Sequence, residues 1–200
     1  MSKAEKTKQF IIEKTATLFN TKGYASTSLS DISSATGLTK GSIYGNFENK
    51  DQVALEAYCY NAFVLKKNMA ESLNKEFPTV TEKLNVFLSF YRKNWKTVFQ
   101  NGGCPLLNAA TECDDTFPEL IKQVQVSFSD WIGTLSEIIE EGQNHHEFNP
   151  EISAEEYASL FIMMIEGGIL LAKTMENEKY LHFTLDKVSK IIEQELKIHS

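Results

Sequence analysis

Apolar side chains recur every three to four residues along almost the whole chain. The first example is the set Phe10, Ile11, Leu18 and Phe19, which falls on one side of a helix. Similar stripes continue to the C-terminus, and we find no alternation of apolar and polar residues of the kind that marks a half-buried strand. The pattern predicts an all-α protein.

Capping signals divide the N-terminal part of the chain into four predicted helices. The predicted N-cap residues of the second, third and fourth helices are Ser28, Thr39 and Asn49. Gly23 and Gly37 are placed to end the first and second helices. We therefore expect a first helix from about Lys3 to Lys22, a third from Lys40 to about Phe47, and a fourth that reaches about Glu76.

Prolines mark the boundaries of the later helices, because proline is tolerated in a first turn but not in a helix interior. The expected starts of the fifth to ninth helices are Thr79, Pro105, Thr116, Ser153 and about Tyr180, the last of these helices reaching Lys197. The eighth helix is apolar nearly all round from Leu160 to Leu171, which predicts burial on more than one side.

The second and third helices have the length and spacing of a helix-turn-helix. Gly37 allows the tight turn between them, and the apolar residues expected to face inward are Leu29, Ile32, Ala35, Leu38, Ile43 and Phe47. The opposite face of the third helix is polar and small, as close approach to base edges in a major groove requires. The alternative is a three-helix packing unit whose polar face is only solvated.

Charge is unevenly distributed along the 200 residues. Residues 1–50 carry seven lysines and four acidic residues, a net charge of +3, which leaves −10 for the rest of a chain whose net charge is −7. The asymmetry favours an N-terminal unit that faces a polyanion, attached to an acidic body. We expect two domains: residues 1–50 and residues 51–200.

The remaining composition excludes several classes of protein. Three cysteines without a paired spacing argue against a disulfide framework or a zinc site, and no cofactor or metal is expected. The N-terminus has no apolar leader, and the run Ala158 to Ala172 is shorter than the roughly 20 apolar residues that span a bilayer. The sequence predicts a cytoplasmic protein with no membrane association.

Residues 12–50 carry a specific resemblance to a known family. The positions that match are Ile12, Ala16, Leu18, Phe19, Gly23, Tyr24, Thr27, Ile32, Gly37, Leu38, Gly41, Ile43, Tyr44, Phe47 and Lys50. This series resembles the N-terminal domain of tetracycline-repressor-type (TetR family) transcriptional regulators. The resemblance implies a homodimer that binds a roughly palindromic double-stranded DNA operator and leaves it when a small molecule binds the C-terminal domain.

The resemblance also implies roles for individual residues. Thr27, Tyr44 and Lys50 would contact phosphates, while Lys40, Ser42 and Asn46 would reach base edges or the groove, with Thr39 at the start of their helix. At Gly45-Asn46 the chain departs from the bulkier residues that are usual in the family, so the base sequence that is read cannot be inferred.

The C-terminal region is rich in aromatic residues, which is more typical of a helical core than of ligand contacts. The resemblance nonetheless implies a pocket lined by some of them, and we expect an apolar or aromatic effector. The candidate effector contacts are Phe63, Phe87, Tyr91, Trp95, Cys104, Asn108 and Trp131. Cys104 precedes Pro105 and is the expected N-cap of its helix, where the positive helix end lowers a thiol pKa. The segment around it resembles that of family members in which a cysteine senses electrophiles or oxidants. The alternative is a small buried cysteine that packs under the turn.

The seventh to ninth helices are the expected dimer interface, since a helix that is apolar on all sides favours a partner helix. Two functions of other classes compete with a ligand-responsive repressor. One is a helical protein-interaction module that only resembles a DNA binder. The other is a small helical enzyme, against which the absence of a nucleophile–base spacing and of a phosphate-binding glycine loop argues.

Overall fold

A computed structural model describes residues 2–113 and 115–198. In this part of the chain the prediction of an all-α protein is confirmed, with nine α-helices and one isolated bridge between Phe148 and Lys197. The helices are α1 (Lys3–Lys22), α2 (Leu29–Thr36), α3 (Lys40–Tyr44), α4 (Lys50–Leu73), α5 (Val80–Gln100), α6 (Pro105–Cys113), α7 (Pro118–Asn144), α8 (Ala154–Thr174) and α9 (Lys179–Ile191).

The predicted N-caps form the expected hydrogen bonds. The Ser28 hydroxyl accepts from the Asp31 backbone N–H, and the Asp31 carboxylate accepts from the Ser28 N–H in return. Lys22 lies 2.6 Å from the same carboxylate, and this contact, with the hydrogen bonds from Ser28, lowers the pKa of Asp31. Thr39 and Asn49 accept from the N–H groups of Ser42 and Gln52. The short polar side chains therefore set the starts of α2, α3 and α4.

Two details of the predicted helix-turn-helix are wrong. The third helix ends at Tyr44 rather than Phe47, because Gly45 has low helix propensity and the Asn46 amide folds back to donate to the Ser42 carbonyl at 2.8 Å. In α2, Ala35 is exposed. Thr36 is buried in its place, and its hydroxyl donates to the Ile32 carbonyl at 2.8 Å.

The ends of α4 and α9 also differ from the expectation. The fourth helix ends at Leu73 rather than near Glu76. The last helix widens at Ile192–Leu196 into one π-helical turn, after which Lys197 bridges to Phe148. The Asn149 N–H donates to the Leu196 carbonyl at 2.7 Å, so Leu196 and Lys197 are held by the segment that follows α7.

The chain folds as two compact units, residues 1–66 with 100–126 and residues 67–99 with 127–200. The first unit holds α1 to α3, the first part of α4, α6 and the start of α7. The predicted domain boundary after residue 50 lies inside this unit and stays a prediction. The units combine segments that are distant in sequence, which places α6 in the same unit as the helix-turn-helix.

The second unit contains a close pair of helices, α8 and α9. Gly168 lies where an added Cβ would come within 2.7 Å of the Thr184 hydroxyl, so the pair packs closely at this point.

The Glu147 carboxylate caps α5 by accepting from the backbone N–H groups of Val80 and Thr81 at 2.9 and 3.1 Å. These hydrogen bonds lower the pKa of Glu147 against the opposing effect of desolvation.

The expected burial of α8 on more than one side is wrong for the single chain. One face of α8 is in the core, but several large apolar side chains on the other are between one-third and two-thirds exposed: Leu160, Met163, Leu170 and Leu171. Met175, just after the helix, is 55% exposed. By length and composition α8 also meets the criterion for a membrane-spanning helix, contrary to the expectation from its shorter apolar run, although 39% of its most apolar stretch is buried in the protein.

Candidate nucleic-acid interface and effector region

Helix α3 presents a polar face and buries its apolar one. Ile43 is fully buried and Phe47, just after the helix, is 3% exposed, whereas Tyr44 is 50% exposed and Lys40 is also exposed. Ser42 and Asn46 are half-buried, and the Asn46 amide is engaged with the carbonyl of Ser42. The side chains that reach furthest from this face are therefore those of Lys40 and Tyr44.

Thr27 lies in the loop between α1 and α2 and is only 1% exposed. Its hydroxyl donates to the Gly23 carbonyl at 2.6 Å, and its backbone N–H donates to the same oxygen at 3.1 Å. Both donors thus close the loop that leads into α2. The predicted phosphate contact of Thr27 stays a prediction, and the structure gives its hydroxyl a different partner.

Lys50, at the start of α4, is directed at the same loop. Its ammonium donates to the carbonyls of Tyr24 at 3.0 Å and Ala25 at 3.3 Å. A lysine ammonium has three N–H donors, so one remains for an anion. The residue predicted to contact phosphate is therefore also a tie between α4 and the α1–α2 loop.

Tyr24 anchors this loop in the core. Its side chain is 3% exposed and stacks on Phe19 with 5.8 Å between the ring centroids. Desolvation, with the nearby Tyr58 and Cys113, raises the pKa of Tyr24 far above its ordinary value, so the phenol is neutral. Its hydroxyl makes no hydrogen bond to any residue that the structure describes.

Helix α4 is fixed along the side of α1. The Asn61 amide donates to the Ala16 carbonyl at 2.8 Å, and Glu56 pairs with Lys8 at 2.6 Å. With Lys50, these contacts lie along about three turns of α4. The first part of α4 is therefore tied to α1 at two points and to the α1–α2 loop at a third.

Helix α6 meets the other side of the same loop. The Glu112 carboxylate accepts from the Ala25 N–H at 2.8 Å, and the Asn108 amide donates to the Asn20 side-chain oxygen at 3.0 Å. Sequence reasoning missed Asn20 and Glu112. No local signal identifies them, because the Asn20–Asn108 contact joins residues 88 positions apart in the chain.

Two candidate effector residues belong to this region. Cys104 is 4% exposed, and its carbonyl accepts the first hydrogen bond of α6, from the Asn108 N–H at 3.1 Å, as expected of an N-cap residue. The Asn108 side chain is committed to Asn20 and to the Gly102 carbonyl. Phe63, also in the first unit, is 62% exposed.

The other four candidates lie in the second unit and form two groups. Phe87 packs edge-on against Tyr91 and Trp131, with ring centroids 5.5 and 5.9 Å apart, and all three are at most 7% exposed. Trp95 packs instead against Phe99 at 5.6 Å, and both line an open cavity of about 590 Å³ with Lys173 and Glu178. Their role as effector contacts stays a prediction.

Sequence profiles of known families match both parts of the chain. The profile described as "Bacterial regulatory proteins, tetR family" matches residues 11–57. The profile described as "Tetracyclin repressor-like, C-terminal domain" matches residues 80–188, more than half of the protein. The resemblance seen in residues 12–50 therefore extends to the C-terminal region.

Two solved structures of similar proteins match this chain over its full length, and a third relative matches most of it. A TetR family transcriptional regulator from Cytophaga hutchinsonii is 38% identical, with a TM-score of 0.94 over 100% of this chain and 99% of that one. A TetR transcriptional regulator from Chloroflexus aurantiacus is 33% identical, with a TM-score of 0.91 over all of both chains. The HTH-type transcriptional repressor DhaR from a Mycobacterium species is 23% identical over 87% of this chain and 86% of its own.

These matches confirm the predicted helix-turn-helix domain and helical C-terminal domain. They also exclude the enzyme alternative, since the family consists of regulators that bind DNA and perform no catalysis. The chain belongs to the TetR family of DNA-binding transcriptional regulators.

Proposed function

We propose that this protein is a cytoplasmic, homodimeric repressor that binds a roughly palindromic operator through α3 and leaves it when an apolar or aromatic effector binds or a thiol is modified. One observation carries the DNA-binding part of the proposal. Buried Ile43 holds α3 in place while Lys40 and exposed Tyr44 project from its other face. Selection of duplex DNA from a random pool by the wild-type protein tests it, and failure to enrich any duplex contradicts it.

Lys50→Ala should weaken binding to every duplex and lower the slope of log affinity against log salt by about one, because one phosphate contact is lost. The affinity loss should exceed that of a phosphate contact alone, since the ammonium also holds the Tyr24 and Ala25 carbonyls. A salt titration measures both effects. Lys75→Ala, which removes the same charge from an exposed lysine, is the matched control. An unchanged slope would exclude the phosphate role of Lys50.

The exposed face of α8 supports a dimer with a second copy of the chain. Leu160, Met163, Leu170 and Leu171 follow a helical stripe, and Phe183 of α9 is 63% exposed. Gly167 lies on the stripe, and an added Cβ there would meet nothing within 4 Å, so a partner helix has room to approach. Two-fold pairing would place two α3 helices on one operator, whose half-sites lie about one DNA turn apart.

Leu170→Glu should convert the dimer into a monomer, because it places a charge in the centre of a dry interface. Sedimentation at micromolar concentration measures the change, and operator affinity should fall with it. Phe10→Glu is the control for sedimentation, since Phe10 is also an exposed apolar residue but lies on α1, outside the expected interface of the seventh to ninth helices. A Leu170→Glu protein that sediments as the wild type does would rule out this interface.

The buried aromatic cluster of Phe87, Tyr91 and Trp131 supports an apolar or aromatic effector. A compound that binds the folded state at a hundred times its dissociation constant adds about 2.7 kcal/mol to the free energy of unfolding. We therefore expect a thermal-shift screen of aromatic compounds to yield one that also releases the selected duplex. Trp131→Phe should weaken this compound more than Trp95→Phe, and the reverse order would move the site to the Trp95 cavity.

The position of Cys104 supports the thiol route. The residue before it, Gly103, accepts a hydrogen bond from the Asn20 amide at 3.2 Å, so added bulk on the Cys104 sulfur would disturb a contact with α1. N-ethylmaleimide, which adds to a thiol without a leaving group, should release the wild-type protein from the selected duplex. Cys104→Ser should resist this release and Cys59→Ser should not. Equal release of both variants would eliminate Cys104 as the sensor.

A further inference from the structure

The contact between α6 and the end of α1 is formed by two interlocked amide side chains. The Asn20 amide donates to the carbonyls of Asn101 at 2.5 Å and Gly103 at 3.2 Å. The Asn108 amide donates in the opposite direction, to the Asn20 backbone carbonyl at 3.2 Å and to the Gly102 carbonyl at 2.8 Å. The Asn20 carbonyl is one of the last four of α1 and has no acceptor role within that helix. A side chain of α6 thus caps the C-terminus of α1.

Two glycines bring the backbones together at this contact. Gly102 has φ +92°, and an added Cβ would lie 2.5 Å from the Asn20 carbonyl oxygen. Gly23 has φ +97°, and an added Cβ would lie 2.8 Å from a Glu112 carboxylate oxygen. Both positions favour glycine by conformation and by space. At Gly102 backbone is therefore packed directly against backbone, and at Gly23 the backbone is packed against the end of the Glu112 side chain.

The α1–α2 loop is held by α4 and α6 at neighbouring atoms. Glu112 of α6 accepts from the Ala25 N–H, while Lys50 of α4 donates to the Ala25 carbonyl. Two residues further on, Thr27 closes the loop onto Gly23, and Ser28 then caps α2. The start of α2, against which α3 packs, therefore depends on α4 and α6 as well as on α1.

We infer that Asn20, Asn108 and Glu112 form a clasp through which α6 positions the helix-turn-helix for operator binding. The clasp is a set of positioning residues and not part of the DNA-contacting surface. The inference rests on the proposed function, because it assigns these residues to the regulation of the same DNA-binding site. A displacement of α6 must either break the clasp or move the α1–α2 loop, so the clasp links the position of α6 to operator affinity.

A pair of substitutions at Glu112 separates this role from the effect of charge. Glu112→Gln and Glu112→Ala remove the same negative charge, but only glutamine keeps a side-chain oxygen that accepts from the Ala25 N–H. We expect Glu112→Gln to bind the selected duplex within about twofold of the wild type and Glu112→Ala to bind it about tenfold more weakly, the change that loss of one such hydrogen bond produces. Affinity for unselected duplex should differ less between the two variants than affinity for the selected duplex, since both keep the same lysine side chains.

Amide hydrogen exchange on the wild-type protein provides a second test that needs no substitution. Because coupling between two sites is reciprocal, binding of the selected duplex should slow exchange in residues 102–113 as well as in residues 23–27. Slowing confined to residues 27–50, or equal binding of the selected duplex by the two Glu112 variants, would overturn the inference. A wild-type protein that enriches no duplex would instead overturn the proposed function.

Discussion

The short loop between α1 and α2 is the constraint on which the DNA-binding unit depends. Its carbonyl groups accept from Lys50, its Ala25 N–H is taken by Glu112, and its Tyr24 ring is buried against Phe19. Few backbone groups of the loop are left to water, and the loop has little freedom to change shape on its own. The loop that leads into α2 is therefore held by helices that are remote in sequence.

This arrangement gives some residues a structural role in addition to the one expected from the sequence. A lysine at the start of α4 is expected to bind phosphate, yet most of its hydrogen bonds in the structure are made with the loop. Thr27, which is expected to contact phosphate, closes the loop in the structure through its hydrogen bond to the Gly23 carbonyl. Under the proposed function Lys50 both holds the loop and contacts phosphate, so its phosphate contact would depend on the position of the loop.

Local chemistry made much of the fold predictable. Ser28, Thr39 and Ser153 begin helices where their hydroxyl groups accept from the third residue of each helix, and such caps depend on neighbours in sequence. The apolar positions Ile43 and Phe47 predict a longer α3, but the low helix propensity of Gly45 ends the helix at Tyr44. The hydropathy of α8 predicts apolar contact on several sides but does not say which side faces the protein's own core, and within the single chain one face of α8 is exposed. Asn20 and Glu112 could not be found, since their partners are distant in the chain.

The apolar stripe on α8 also has a consequence for how the folded state is measured. If pairing covers Met163 and Leu170, part of the free energy of folding comes from association and varies with the logarithm of protein concentration. An unfolding midpoint then describes the protein only together with the concentration at which it was recorded. In a cell that makes few copies of a regulator, the low protein concentration would by itself lower the free energy of unfolding of such a dimer.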